Sequence, residues 1–279
     1  MELHLKQILL VLSIPFLIYS CNKEETAPEI PPLETMIIDF GHLSTSNKSA
    51  LLNGSENTLT NVNWLYAATT VGVWNTLVGV TLAVPVASFK AAFNQVPVKT
   101  GDGTWQWSYS VGGFTSQYSA RLVGQVLSGQ VKWEMYVTKT GVDPFDEFLW
   151  FEGVSTLDGN SGQWTLYHSP QDPVAVIRID WQKSGDQVGN VKYTYVRELD
   201  NLQQPDNFNG SYLIYGLQDE TFDAYVTVHA YNLQAAGFSD TNIEWSRTDF
   251  SGRVKSYSFY NDANWHCWDS GGNDIDCSQ

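Results

Sequence analysis

Residues 128–137 read SGQVKWEMYV, and this stretch decides the fold class. After the serine–glycine pair, Val131, Trp133, Met135 and Val137 share one side of an extended chain, with Lys132 and Glu134 on the other. A period of two is what a strand with one dry and one wet face requires. The pattern recurs in WQWSYSV (residues 105–111), and similar runs follow as VAVIRIDW, VKYTYV, SYLIYG and AYVTVHAY. Charged and turn residues separate them, as in an antiparallel sheet wetted on one face.

A loose recurrence links the runs. SGQVKWEMY, SGQWTLY, VGNVKYTY, NGSYLIY and SGRVKSY each carry a glycine just ahead of a β-branched or aromatic residue: Gly129, Gly162, Gly189, Gly210 and Gly252. The spacings are irregular, which excludes a solenoid or propeller period. Each glycine is expected to supply positive φ at a hairpin turn or bulge, with the returning strand after it. About ten strands joined in this way form a long meander, and such a sheet must curl into a barrel or half-barrel.

The segment before the strands differs. Residues 57–89, which include NWLYAATTVGVWNTLVGVTLAVPVASF, carry no charge. Helical spacing gathers Trp64, Ala67, Val71, Trp74 and Val78 on a large face, and Thr69, Gly72, Thr76, Gly79 and Ala83 on a small one. Period two also fits Val78, Val80, Leu82, Val84 and Val86. The helical reading predicts a buried helix ending near Pro85 and a second short helix starting there, within a helical segment at 59–95. The hollow side of a curled sheet would bury it.

The N-terminus reports a compartment. ILLVLSIPFLI (residues 8–18) has signal-peptide length and falls short of the about 20 apolar residues of a membrane span. The segment LIYSC resembles the lipobox of bacterial lipoproteins, in which Cys21 would be diacylated (palmitate or a similar chain) and become the mature start. The NKEE that follows resembles the export tag of surface-exposed lipoproteins of the Bacteroidota type. The resemblance implies a signal peptide at 1–20, lipid attachment in the outer membrane, and a flexible tether over 21–58 before a single domain at 59–279.

Export leaves two cysteines, in WHCWDSGGNDIDC near the end. A disulfide between Cys267 and Cys277 is expected in an oxidising compartment, worth about 2–3 kcal/mol for so short a loop. Zinc at His266, Cys267 and Cys277 would lack a fourth ligand. Asp269, Asn273, Asp274 and Asp276 offer hard oxygens for calcium without the ordered pattern of an EF-hand loop; a solvated acidic turn is the simpler reading.

A formal charge of −15 and the absence of any basic block exclude nucleic acid as partner. No G-x-S-x-G, H-E-x-x-H or phosphate loop is present, and nothing calls for a cofactor or metal. His168, His229 and His266 read as packing residues, and Arg178 and Asp180 as an ion pair on one face of VIRIDW. Asp143, Asp146, Glu147 and Glu152 would suit glycoside hydrolysis only if two of them faced each other across a cleft. The most suggestive feature is the surplus of rings, with 11 Trp and 14 Tyr. Flat rings stack on sugars and line apolar pockets, which makes Trp105, Trp107, Trp133, Trp164, Arg178 and His229 the candidate ligand contacts.

Lipid anchor, apolar helix and long meander together resemble the helix-in-half-barrel layout of the lipoprotein carriers and receptors of the Lol system, and more loosely lipocalins. That layout implies a non-catalytic domain binding an apolar small molecule, a glycan or an outer-membrane protein. The alternatives are an extracellular glycan hydrolase or lyase, and a structural subunit of a surface complex.

Overall fold

The computed structural model describes residues 25–37, 43, 61–112 and 116–277, with backbone alone at 75, 77–82, 111 and 112. The signal segment, Cys21, His4, His42 and most of the expected tether lie outside the described residues. The chain is mainly β. Its strands are β1 (Val98–Gly101), β2 (Thr104–Gly112), β3 (Ser116–Leu127), β4 (Gln130–Gly141), β5 (Phe145–Thr156), β6 (Ser161–Ser169) and β7 (Asp172–Ser184), then β8 (Gln187–Tyr195), β9 (Tyr212–Leu217), β10 (Ala224–Asn232), β11 (Gly237–Trp245), β12 (Gly252–Ser256), β13 (His266–Trp268) and β14 (Asp274–Ile275). They form one antiparallel meander whose order across the sheet is the order in the chain. Fourteen strands replace the expected ten. The extra ones include β13 and β14, too short to show a period. The sheet does not close, because β1 and β14 do not pair.

The alternation in β4 is as read: Val131, Trp133, Met135 and Val137 are buried. Directly paired residues on neighbouring strands share a face, so the inner face continues through Leu122 opposite Met135 and Gly124 opposite Trp133. Register irregularities fall in the β4–β5, β6–β7 and β7–β8 pairings. Such bulges bend and twist a sheet, and these lie in its middle.

Aromatic rings and glycines explain how the inner face packs. Trp133 stands opposite both Gly124 and Gly153, Trp181 opposite Gly162, and Trp268 opposite Gly252. A Cβ on Gly124 would come within 2.8 Å of the Trp133 ring, and one on Gly162 within 2.6 Å of Trp181. Each indole therefore lies over a bare stretch of neighbouring backbone. This corrects part of the glycine expectation. Gly129 and Gly210 do have positive φ, 85° and 92°. Gly162, Gly189 and Gly252 sit inside β6, β8 and β12, where space rather than φ requires glycine.

α1 (Val62–Ala92) is one continuous helix with Pro85 inside it, not two helices meeting there. An interior proline removes one backbone hydrogen bond. Buried anchors on both sides hold the helix together: Trp64, Ala67, Val71 and Trp74 before it, Phe89 and Ala92 after it. The large face is thus buried as read, over its described side chains. The small face is not: Thr69, Thr76 and Ala83 are exposed, beside Val62, Leu65 and Val73. So α1 is buried on one side only. Among the described residues no helix is long and apolar enough to cross a membrane.

α1 spans about 46 Å and touches β2, β3, β4 and β6 at one end, β12, β13 and β14 at the other. Phe89 packs edge-on to Phe151 and Trp164, and the Tyr109 hydroxyl donates to the Ser88 carbonyl. At the other end the Tyr66 hydroxyl bonds those of Thr241 and Ser256 at 3.2 and 2.9 Å. Against β7 and β8 lies a strap from residues 25–37. There the Trp164 indole donates to Thr35 Oγ1 at 3.1 Å, Tyr193 donates to the Met36 carbonyl, and Thr35 and Met36 are fully buried. The described part of the expected tether is therefore docked chain.

Two outcomes follow. Gly162→Ala and Gly252→Ala should each lower stability by about 1–3 kcal/mol through overpacking. Gly72→Ala, in α1 with open space around it and no positive φ, should cost nothing, since alanine favours a helix over glycine; urea midpoints decide the order. Burial pushes the Tyr109 hydroxyl up to about 12, and burial with a carboxylate partner does the same for Tyr167 and Tyr195. An unfolded tyrosine titrates near about 10. These raised groups stabilise the fold fully below that pH and lose their contribution as pH climbs towards 12. Tyrosinate absorbance should show a late-ionising class, absent once urea unfolds the chain.

Candidate functional site

The six candidate contacts do not converge. Trp107, Trp133 and Trp164 are buried, and Trp105 packs against the same core from its edge. The Trp133 indole donates to Ser155 Oγ at 3.0 Å. These rings belong to the core that fills the hollow of the sheet. Arg178 and His229 point to the opposite, outer face. They share one cross-strand row, Arg178–Thr194–Tyr212–His229–Asp240, about 14 Å apart at three strand spacings. Arg178 Nε pairs with Asp180 Oδ2 at 3.2 Å. His229 is stacked between Tyr212 and Phe238, with Nδ1 2.6 Å from Asp240 Oδ1.

The other histidines also meet a carboxylate: His168 with Asp172 and His266 with Asp262, both at 3.1 Å. Arg197 shares Asp172 at 3.0 Å. Among the described residues none of the three imidazoles bonds a serine, threonine or cysteine side chain, so no nucleophile relay is assembled. Glu147 pairs with Arg121, Asp146 accepts from Thr138, and Glu152 accepts from Tyr167 at 2.7 Å. One carboxylate pair escaped the sequence reading: Glu134 stands directly opposite Glu152. Only strand register reveals it. It lies on the outer face, where Lys132 pairs with Glu134 at 2.9 Å.

The C-terminal motif turns out to be a latch for α1. Cys267 and Cys277 form a disulfide with Cα atoms 5.3 Å apart. Within the loop, Asp269 Oδ1 accepts the Asn273 N–H at 2.8 Å. Asp274 reaches out of it: its carboxylate accepts the N–H groups of Val62 and Asn63 at 3.1 and 2.9 Å. Those are two of the donors that a helix start leaves unpaired, and the negative charge suits the positive end of the helix dipole. Asn63 Nδ2 donates to the Cys267 carbonyl, and Tyr260 donates to Asn63 Oδ1, both at 3.0 Å. Among the described residues no group of three or more histidine, cysteine, aspartate or glutamate side chains is placed to hold a metal ion.

The two ends of the strands differ in chemistry. The end carrying the β1–β2, β3–β4, β5–β6, β7–β8, β9–β10, β11–β12 and β13–β14 turns is acidic: Asp102, Asp158, Asp186, Asp219, Glu220, Asp223, Asp249 and Asp269 lie in its turns, with Arg247 as the one base within them. Glu25 joins this end, pairing with Lys99 at 3.0 Å. The opposite end is acidic too, with Asp143, Glu198, Asp200, Asp206 and Asp262 beside Arg197 in its connections, but four of these connections also expose a large apolar side chain. These are Val142, Leu202, Leu233 and Tyr257, exposed by 58, 78, 68 and 69%. A cleft of about 410 Å³ opens on the inner side of the acidic end, between the strap and β8–β9.

Asp274→Ala should cost about 1–2 kcal/mol, as for loss of a helix cap. Cys277→Ser should cost about 2–3 kcal/mol. Because the disulfide loop holds the cap in place, the double variant should lose less than the sum, which urea denaturation of all four chains would measure. The chain matches no family model, no curated protein and no solved structure.

Proposed function

We propose that this is a non-catalytic, lipid-anchored outer-membrane lipoprotein whose apolar pole binds a protein partner. The observation that carries the reading is the set of large apolar side chains exposed at one end of the sheet. The hollow of the sheet is occupied by α1, the strap and the indoles, while large apolar side chains stand exposed at the pole away from Glu25.

The anchor sets the orientation. Glu25 lies four positions after Cys21, so an acylated Cys21 would hold the acidic end within about 14 Å of the bilayer. Strands of the length of β4 place the apolar pole about 40 Å further along. Acidic turns repel anionic headgroups, so acyl chains rather than the domain surface would hold the protein there. Two copies joined pole to pole would set their anchors too far apart to share one membrane. A different protein remains as the occupant, and Val142, Leu202, Leu233 and Tyr257 suit the dry centre of its interface, with the acids around them at its polar rim.

The test has two parts. Labelled palmitate should attach to the wild type, and Cys21→Ala should abolish both the label and membrane retention; an unlabelled wild type defeats the anchor. A Leu202→Asp, Leu233→Asp, Tyr257→Asp chain should keep its melting temperature and membrane attachment yet leave the larger species seen for the wild type on native electrophoresis in mild detergent. A wild type that runs alone defeats the partner reading.

A further inference from the structure

The cleft at the acidic end is built from different chemistry than the rest of that surface. Its floor is inner-face side chains of the sheet: Val191 on β8, with Tyr215 and Leu217 on β9. Val191 is fully buried, and Tyr215 packs 6.2 Å from the Trp245 ring. Glu34 of the strap and Asp186 of the β7–β8 turn stand at its mouth with Arg247. The base is already committed, since Arg247 Nε pairs with Asp223 Oδ2 at 2.9 Å and its backbone N–H donates to Asp223 Oδ1 at 2.8 Å. Glu34 and Asp186 have no partner among the described residues.

We propose that this cleft binds a small amphiphilic cation, an amine or guanidinium carried on an apolar body of dipeptide size. The volume lies within the range of small-molecule sites, which combine an apolar lining with a few placed polar groups. An aromatic and aliphatic floor takes the apolar body. The two unpaired carboxylates select positive charge. The acidic turns around the mouth add a long-range field of the same sign, which concentrates cations and repels anions. An anionic or neutral ligand would gain nothing from Glu34 or Asp186 and would be excluded by their neighbours. The site uses neither the apolar pole nor the lipid anchor, so it stands or falls separately from both.

The probe is N-acetyl-phenylalanyl-arginine amide, with the citrulline analogue as its uncharged isostere. Each is titrated into the full chain in zwitterionic nanodiscs, with empty nanodiscs as the blank and calorimetry as the readout. The arginine peptide should bind saturably, one per chain, and the citrulline peptide at least tenfold more weakly. A Glu34→Gln, Asp186→Asn chain should also lose at least tenfold for the arginine peptide, with unchanged thermal stability, since both side chains are exposed. Raising the salt concentration should weaken arginine binding in the wild type, as expected for exposed charges. Absence of saturable binding overturns the proposal, as do equal affinities for the two peptides or an unchanged affinity in the double variant.

Discussion

An indole laid flat over a glycine on the next strand is the contact on which this architecture depends. A tryptophan side chain standing up from a sheet would need a deep core, and a single concave layer has little depth to give. Removing the Cβ beneath the ring lets it recline, so Trp133, Trp181 and Trp268 cover sheet backbone while staying close to it. The thin aromatic layer leaves room above for α1 and the strap. Interiors pack to crystal density, so the glycines and rings must be matched position by position. Some cost remains: the indole N–H groups of Trp150, Trp181 and Trp245 are buried without an acceptor among the described residues.

Closure of the hollow is the second constraint. The meander itself is local, each strand bonding the next. α1, however, must meet the last strands, and its first N–H groups find Asp274 across a sequence separation of more than 200 residues. A contact of that separation adds a large loop-closure cost to folding. The disulfide reduces the remaining freedom where it matters, in the loop that presents the cap. Both free edges of the sheet are short, four residues in β1 and two in β14, which limits edge-to-edge association.

Functional asymmetry emerges from the up-and-down path of the chain. Alternate turns land at opposite ends, so residues scattered through the sequence gather into two surfaces. Aspartates from six turns meet at one end, while Val142, Leu202, Leu233 and Tyr257 meet at the other. An anchor near Glu25 would place the more acidic end beside the membrane and these four apolar side chains away from it. The cleft belongs to the acidic end but takes its floor from the core face, and it therefore combines charge with apolar surface.

Much of the fold was legible because periodicity reports which face of an element is dry. The alternation of Val131, Trp133, Met135 and Val137 implied a strand, and the Trp64, Ala67, Val71 and Trp74 stripe implied a helix, although one expected to be buried all round. The pairing of Cys267 with Cys277 followed from their number and nearness. Register and closure were not legible, since nothing in a local pattern states what lies opposite. Gly162 and Gly252 looked like turn residues until the rings above them were placed. Asp274 looked like part of a solvated loop until a helix start from the other end of the chain met it. Trp107, Trp133 and Trp164 looked like ligand contacts because a sequence records that a ring is large and flat, not whether its faces are already covered. By itself the sequence determined the elements and their dry faces, through side-chain period and composition. Only the tertiary structure decided which groups meet, because hydrogen bonds and ring contacts act over a few ångströms in space whatever their distance along the chain.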